Sequence, residues 1–206
     1  MKSTNFSLSG CLALLILLSG CAALQVSQDV QAGRNALQTG RPEVALGYLR
    51  RATELDPNYT LPYTLRESVL TYLGRAYYET GNFAEARSTL EKALARDKAD
   101  HLARLYLGLT LMRSGDPDRG RREAESGLKG IYDWLEDISA TSSSGIFWDP
   151  GRQIRTDIEK TLAAKLEASE FIAAAQRIGR EFDEEIDKAR KDEASTRYGR
   201  TGGGGD

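Results

Sequence analysis

The chain has 206 residues, with 28 Lys and Arg set against 30 Asp and Glu and a formal net charge of −2. So even a balance supplies no basic excess for neutralising phosphates and no ground for nucleic acid as a partner. A single histidine excludes a histidine-based metal cluster, and scarce proline amid abundant Leu, Ala, Glu and Arg favours an all-α chain.

Residues 1–20 read as a targeting segment: Lys2 supplies a positive start, and Leu12 to Leu18 form an apolar run too short to span a bilayer as a mature helix. Leu18-Ser19-Gly20-Cys21 follows. It resembles the bacterial lipobox, in which the bond before the cysteine is cut and its thiolate, the nucleophile, becomes a thioether to diacylglycerol. The resemblance implies that Cys21 is the acylated first residue of the mature chain, anchored by about 0.8 kcal/mol per buried CH₂. Ala22 stands where an aspartate commonly retains such lipoproteins in the inner membrane, which implies the outer membrane, periplasmic face. Cys11 leaves with the segment, so the mature chain keeps no thiol for a disulfide or a metal. No cofactor is expected beyond the lipid on Cys21.

Residues 21–27 are expected as a short lipidated tether, and 28–138 as three helix pairs. In the first pair, Val30, Gly33, Ala36 and Leu37 precede the Thr39-Gly40 turn, and Pro42, Ala45, Leu49 and Ala52 follow it, up to the Asp56-Pro57 stop. The second is the clearest. Leu70, Leu73, Ala76 and Tyr77 recur at helical spacing, Gly81-Asn82 interrupt, and Phe83, Ala86, Leu90, Ala93 and Leu94 resume. In the third, Leu107 and Gly108 stand 34 residues after Leu73 and Gly74, with Leu111 after Tyr77 and Gly115 after Gly81. Its second helix carries Gly120 and Gly127 where alanines are expected, before an apolar stripe at Leu128, Ile131, Leu135 and Ile138. The spacing from Gly33 to Gly74 is seven residues longer, and the surplus at Asn58 to Arg66 is either a longer connection or a helical extension from Pro62.

Leu73, Gly74, Tyr77, Gly81, Ala86, Leu90 and Ala93 match the signature of the tetratricopeptide repeat, which the chain therefore resembles. The resemblance implies an α-α superhelix, a right-handed solenoid, with additional C-terminal helices. It also implies a scaffold or adaptor role.

Residues 139–151 break the pattern with a Ser-rich run ending in Ile146, Phe147 and Trp148, either a lid or, more in keeping with the rarity of exposed apolar clusters, a plug on the scaffold. Residues 152–193 are helical again, as one rotating helix or two. Ile154, Ile158, Leu162 and Leu166 form a first stripe, and Phe171, Ala175, Ile178, Phe182, Ile186 and Ala189 a second. This part is expected to cap the solenoid. Residues 194–206, with Gly202 to Gly205, bury nothing and are expected to be disordered.

Signals for catalysis are weak. Ser126-Gly127-Leu128-Lys129 fits the Ser-x-x-Lys pattern of penicillin-binding enzymes but lacks their companion motifs, and His101 has no nucleophile elbow to serve. Glu181, Asp183, Glu184, Glu185 and Asp187 alternate with basic residues and read as a solvated helix face. The chain is not expected to be an enzyme. In repeats like these the first helices line a concave groove, here Gln31, Arg34, Tyr72, Arg75, Tyr78, Tyr106, Leu109 and Arg113. Arginine and tyrosine are frequent interface anchors, although Tyr72 and Tyr106 equally suit packing between helices. The expected function is an outer-membrane-anchored periplasmic scaffold that binds an envelope protein or peptide in this groove. Rival readings are a pilotin-like assembly subunit, homo-oligomeric or not, and an envelope enzyme.

Overall fold

A computed structural model describes the backbone of residues 8–61 and 67–201, and the side chains of 23–61, 67–192, 194 and 195. Eight α-helices appear among them: α1 (Leu8–Gln38), α2 (Pro42–Leu55), α3 (Val69–Glu79), α4 (Phe83–Arg96), α5 (His101–Arg113), α6 (Pro117–Thr141), α7 (Gln153–Ala163) and α8 (Ala168–Thr201). A short 3-10 turn, Gly145–Phe147, lies between α6 and α7. The first six helices form three successive pairs, each packed on the next, in an all-α superhelix.

Each pair turns the same way. Gly81 ends α3 at φ +77, a left-handed conformation that costs glycine little. Its neighbour Asn82 donates its backbone N–H back to the Tyr77 carbonyl at 2.8 Å, closing the helix end. Arg41 to Ala36 and Asp116 to Leu111 repeat that bond in the other two pairs. The starts of the helices are fixed locally: Ser68, Asp100 and Asp116 side chains accept the N–H groups of Thr71, Ala103 and Arg119.

The helices of a pair touch where a side chain is missing. A Cβ on Gly74 would meet Leu90 Cγ at 2.5 Å, and one on Gly33 would meet Leu49 Cγ at 2.6 Å. In the third pair the contact is backbone on backbone, since a Cβ on Gly108 would lie 2.3 Å from Ala124 N and 2.6 Å from Gly120 O. Gly120 and Gly127, the departures in the sequence pattern, are what admit this. Each faces α5 so closely that a Cβ would come within 2.5 Å of a backbone nitrogen, of Met112 and Leu105 respectively. The second helix of the third pair is therefore well formed, with Leu128, Ile131 and Leu135 completely buried.

Several boundaries differ from the sequence expectation. The tether expected at 21–27 is helical, and Val26 within it is 2% exposed because it continues the stripe of Val30, Gly33 and Leu37. In the surplus after Pro57, residues 58–61 and 67–68 are non-helical and α3 starts at Val69, with Leu61 N–H donating to Glu67 O and Val69 N–H to Tyr59 O, both at 2.9 Å. Pro62 lies outside the described residues. Trp148 is a plug, 2% exposed, while Ile146 beside it stays 71% exposed. The C-terminal region is two helices, and α8 runs on through the expected tail to Thr201, with no proline and a single glycine, Gly199, between Ala189 and the glycine run at Gly202. Residues 202–206 lie outside the described residues, as do the side chains of the targeting segment and of Cys21.

Gly108→Ala should destabilise the fold by about 1 to 3 kcal/mol, because backbone on α6 must move to admit the methyl group. Gly47→Ala on α2, with nothing within 4 Å of the new atom, should be neutral or stabilising by up to about 1 kcal/mol. Chemical denaturation of the two variants checks the contrast.

Candidate functional site

Three first helices, α1, α3 and α5, place a periodic set of side chains on the concave side. Arg34 follows Gly33 and Arg75 follows Gly74, whereas Tyr72 precedes Gly74 by two and Tyr106 precedes Gly108 by two. The offset lets each arginine reach the tyrosine of the next repeat. The Arg34 guanidinium lies 5.0 Å from the Tyr72 ring centre, and that of Arg75 lies 5.4 Å from Tyr106, both in the range of cation–π attraction. The ends of the array lack one half of this unit. Gln31 takes the tyrosine position in the first repeat and Leu109 the arginine position in the third.

This face is not open. Arg34, Tyr72, Arg75, Tyr78, Tyr106 and Leu109 are all buried, and α8 lies against α1 and α5 of this face and reaches Arg75 of α3 through Asp183. The groove expected here for a partner is occupied from within the chain: α8 packs against α1 and α5 and buries its stripe of Phe171, Ala175, Ile178, Phe182, Ile186 and Ala189. Close approach is possible at Gly179, where a Cβ would stand 3.1 Å from Leu105 and 3.2 Å from the Tyr106 hydroxyl. Of the eight groove residues expected, only Arg113 is exposed and Gln31 partly so. Arg113 sits over Tyr78 and Phe83 at 5.7 and 5.3 Å.

The polar centre of the contact is Asp183 of α8, which the sequence pattern had assigned to a solvated face and which is 0% exposed. Its Oδ1 accepts from Arg34 Nη2 at 2.7 Å and Nε at 3.2 Å, and its Oδ2 accepts from Arg75 Nη1 at 3.0 Å. One turn on, Asp187 accepts from Arg34 Nη1 at 2.8 Å, and Gln38 donates to both carboxylates. Burial on its own would raise the Asp183 carboxyl, but Arg34 and Arg75 outweigh it and hold the group below the ordinary aspartate range. The match is incomplete: Arg75 Nη2 and Tyr106 Oη are buried without a hydrogen-bond partner. Burial pushes the Tyr106 hydroxyl up, so it stays protonated.

A second lock holds α8 to the aromatic turn. Glu185, also buried rather than solvated, accepts the Asp149 N–H at 2.6 Å. Asp149 in turn accepts the Ile154 and Arg155 N–H groups at the start of α7 and pairs with Arg155 Nε at 3.0 Å. Trp148 meets Trp134 edge to face at 4.7 Å, and Trp134 meets Phe182 at 6.0 Å.

The residues with catalytic resemblance are not brought into such a setting. Ser126 is exposed, Lys129 is an exposed partner of Asp133 at 2.7 Å, and the His101 ring packs over Gly130. Among the described residues no group of three or more His, Cys, Asp or Glu side chains is placed to hold a metal ion.

Compared with known proteins, the tetratricopeptide repeat family matches residues 73–133, from α3 into α6. The chain thus contains tetratricopeptide repeats, a class whose stacked helices serve as protein-interaction scaffolds. No curated protein and no solved structure matches the chain. The α1–α2 pair lies outside the matched span, but it repeats the turn bond and the glycine contact of its neighbours.

Asp183→Ala should cost about 1.5 to 3 kcal/mol, since it removes charge-assisted hydrogen bonds from both arginines while Arg34 keeps Asp187 and Arg75 keeps Glu79 at 2.7 Å, and denaturant titration measures it. Because the carboxyl is lowered in the folded chain, its stabilisation is present above the unfolded value of about 3.9 and lost as pH falls through the lowered one. Protection of the α8 amides relative to the unfolded chain at the same pH should accordingly fall below about pH 4, more in the wild type than in Asp183→Asn.

Proposed function

We propose that the chain is an outer-membrane-anchored periplasmic scaffold, tethered through a lipid on Cys21, that binds an envelope protein through the face built by α1, α3 and α5. The lipobox-like Leu18-Ser19-Gly20-Cys21 and Ala22 support the anchor and its membrane. The observation that carries the binding reading is the arginine–tyrosine array, which already holds a helix bearing two carboxylates one turn apart. A partner presenting a similar acidic helix would replace α8. Its apparent affinity would be reduced by the fraction of time that α8 leaves the face open.

A second reading has its own support. The extent of apolar burial under α8 favours a permanently closed face, with the protein acting as an assembly subunit through its outer surface, where Val44 and Leu55 of α2 are exposed.

Labelled palmitate should enter the wild-type chain in growing cells and be absent from Cys21→Ser, which should also leave the membrane fraction. Photo-crosslinkers placed at Arg113, on the rim of the covered face, and at Val44 separate the two readings. Capture from Arg113 that rises in an Asp183→Asn background supports displacement of α8. Capture from Val44 alone, unchanged by Asp183→Asn, supports the assembly subunit.

A further inference from the structure

On the side of the array where α3 begins, a small cleft is lined by Glu67, Asp97, Asp100, His101, Trp134 and Phe182 among others. It joins the end of the long connection, the α4–α5 turn, α6 and α8 at one point. Its free volume is about 30 Å³, enough for a water molecule or a group of that size.

The polar inventory is lopsided. Asp100 is satisfied, since Oδ1 accepts the Ala103 N–H at 2.8 Å and Oδ2 accepts the Thr71 hydroxyl. Glu67 is not. At 3% exposure, its Oε2 accepts from the Tyr72 hydroxyl at 3.2 Å, while Oε1 is buried without a partner. A buried carboxylate oxygen lacking a donor is expensive. The charged groups around it are Asp97 and Asp100 from the α4–α5 turn, Arg34 from α1 and Asp183 from α8, with His101 at the start of α5. Arg34 is already committed to Asp183 and Asp187, so the cleft itself keeps an acidic character.

We infer that this cleft receives a primary ammonium group, whose N–H would donate to Glu67 Oε1 beside Trp134 and Phe182. The acidic wall selects a cation and the aromatic rings favour one. The confined volume selects the compact ammonium over the planar, three-nitrogen guanidinium. A lysine side chain of a protein and a free small amine share this chemistry. The inference does not depend on how the α8-covered face is used.

Protonation works against such a ligand. Burial, followed by the charge of Asp100, raises the Glu67 carboxyl well above its ordinary value, against the pull of Arg34 and of the Tyr72 hydroxyl. Burial pushes Asp100 up to about 6, against the hydrogen bonds from Thr71 and Ala103. Burial lowers His101, so near neutral pH it does not supply a competing cation. Ammonium binding should therefore be strongest above neutral pH and weaken as the two acids take up protons.

The test is an amide NMR titration of the full chain in detergent, at constant ionic strength, with methylammonium, putrescine, Nα-acetyl-lysine amide and guanidinium. The expected result is saturable shifts at Asp100, His101 and Leu102 with the amines at pH 8. Guanidinium should bind at least tenfold more weakly, pH 5 should weaken the amines at least tenfold, and Glu67→Gln should abolish saturation. Tighter binding of acetyl-lysine amide than of methylammonium assigns the site to a lysine of a partner, and equal or tighter binding of putrescine assigns it to a free amine. Shifts that do not saturate, that persist in Glu67→Gln, or that guanidinium reproduces would overturn the inference, as expected if the cleft holds only water. Should Glu67→Gln not fold, Asp97→Asn at the exposed mouth decides: a severalfold loss of affinity supports the site and an unchanged affinity refutes it.

Discussion

A single carboxylate with no access to water holds two guanidinium groups from successive repeats, and the concave side of the molecule is arranged around that fact. Asp183 takes Arg34 with one oxygen and Arg75 with the other. Each arginine also has a carboxylate of its own, Asp187 for Arg34 and Glu79 for Arg75, but only Asp183 joins the two repeats to each other and to α8. Together with the aspartate and the tyrosine rings the arginines make a compact polar centre inside an apolar seam. The position of α8 follows, as does the burial of Tyr72, Tyr78 and Tyr106 that separates this molecule from an open solenoid.

What was legible in the sequence was the part set by short-range repetition. The glycines at 33, 74 and 108, the turns that follow them and the alternation of small and large apolar residues announce helix pairs, because a helix crossing needs missing atoms at a fixed spacing. Even Gly120 and Gly127, which depart from the repeat signature, have a reason once α5 is beside them: they let two backbones meet. The arginine-to-tyrosine offset between repeats was equally present in the chain, as the positions one after and two before each crossing glycine.

What was not legible was the occupant of the face. Asp183 lies 149 residues from Arg34, and residue type alone does not distinguish it from the acidic residues of α8 that stay in solvent. One signal pointed that way: Asp183 lies next to Phe182 and one turn before Ile186 and Asp187, so it flanks the apolar stripe instead of opposing it. The tether and the tail were misjudged for a related reason. Val26 is isolated in sequence but in phase with Val30, and the residues beyond Ala189 have little to bury yet no reason to stop being helical.

The aromatic turn after α6 gives the molecule one further property. Trp148 of this turn and Trp134 of α6 are the whole tryptophan complement of the chain, and they stand edge to face with Phe182 of α8 as the third ring. Selectively excited tryptophan fluorescence, free of the nine tyrosines, is therefore a gauge of the seating of the last helix, with no dye or label required.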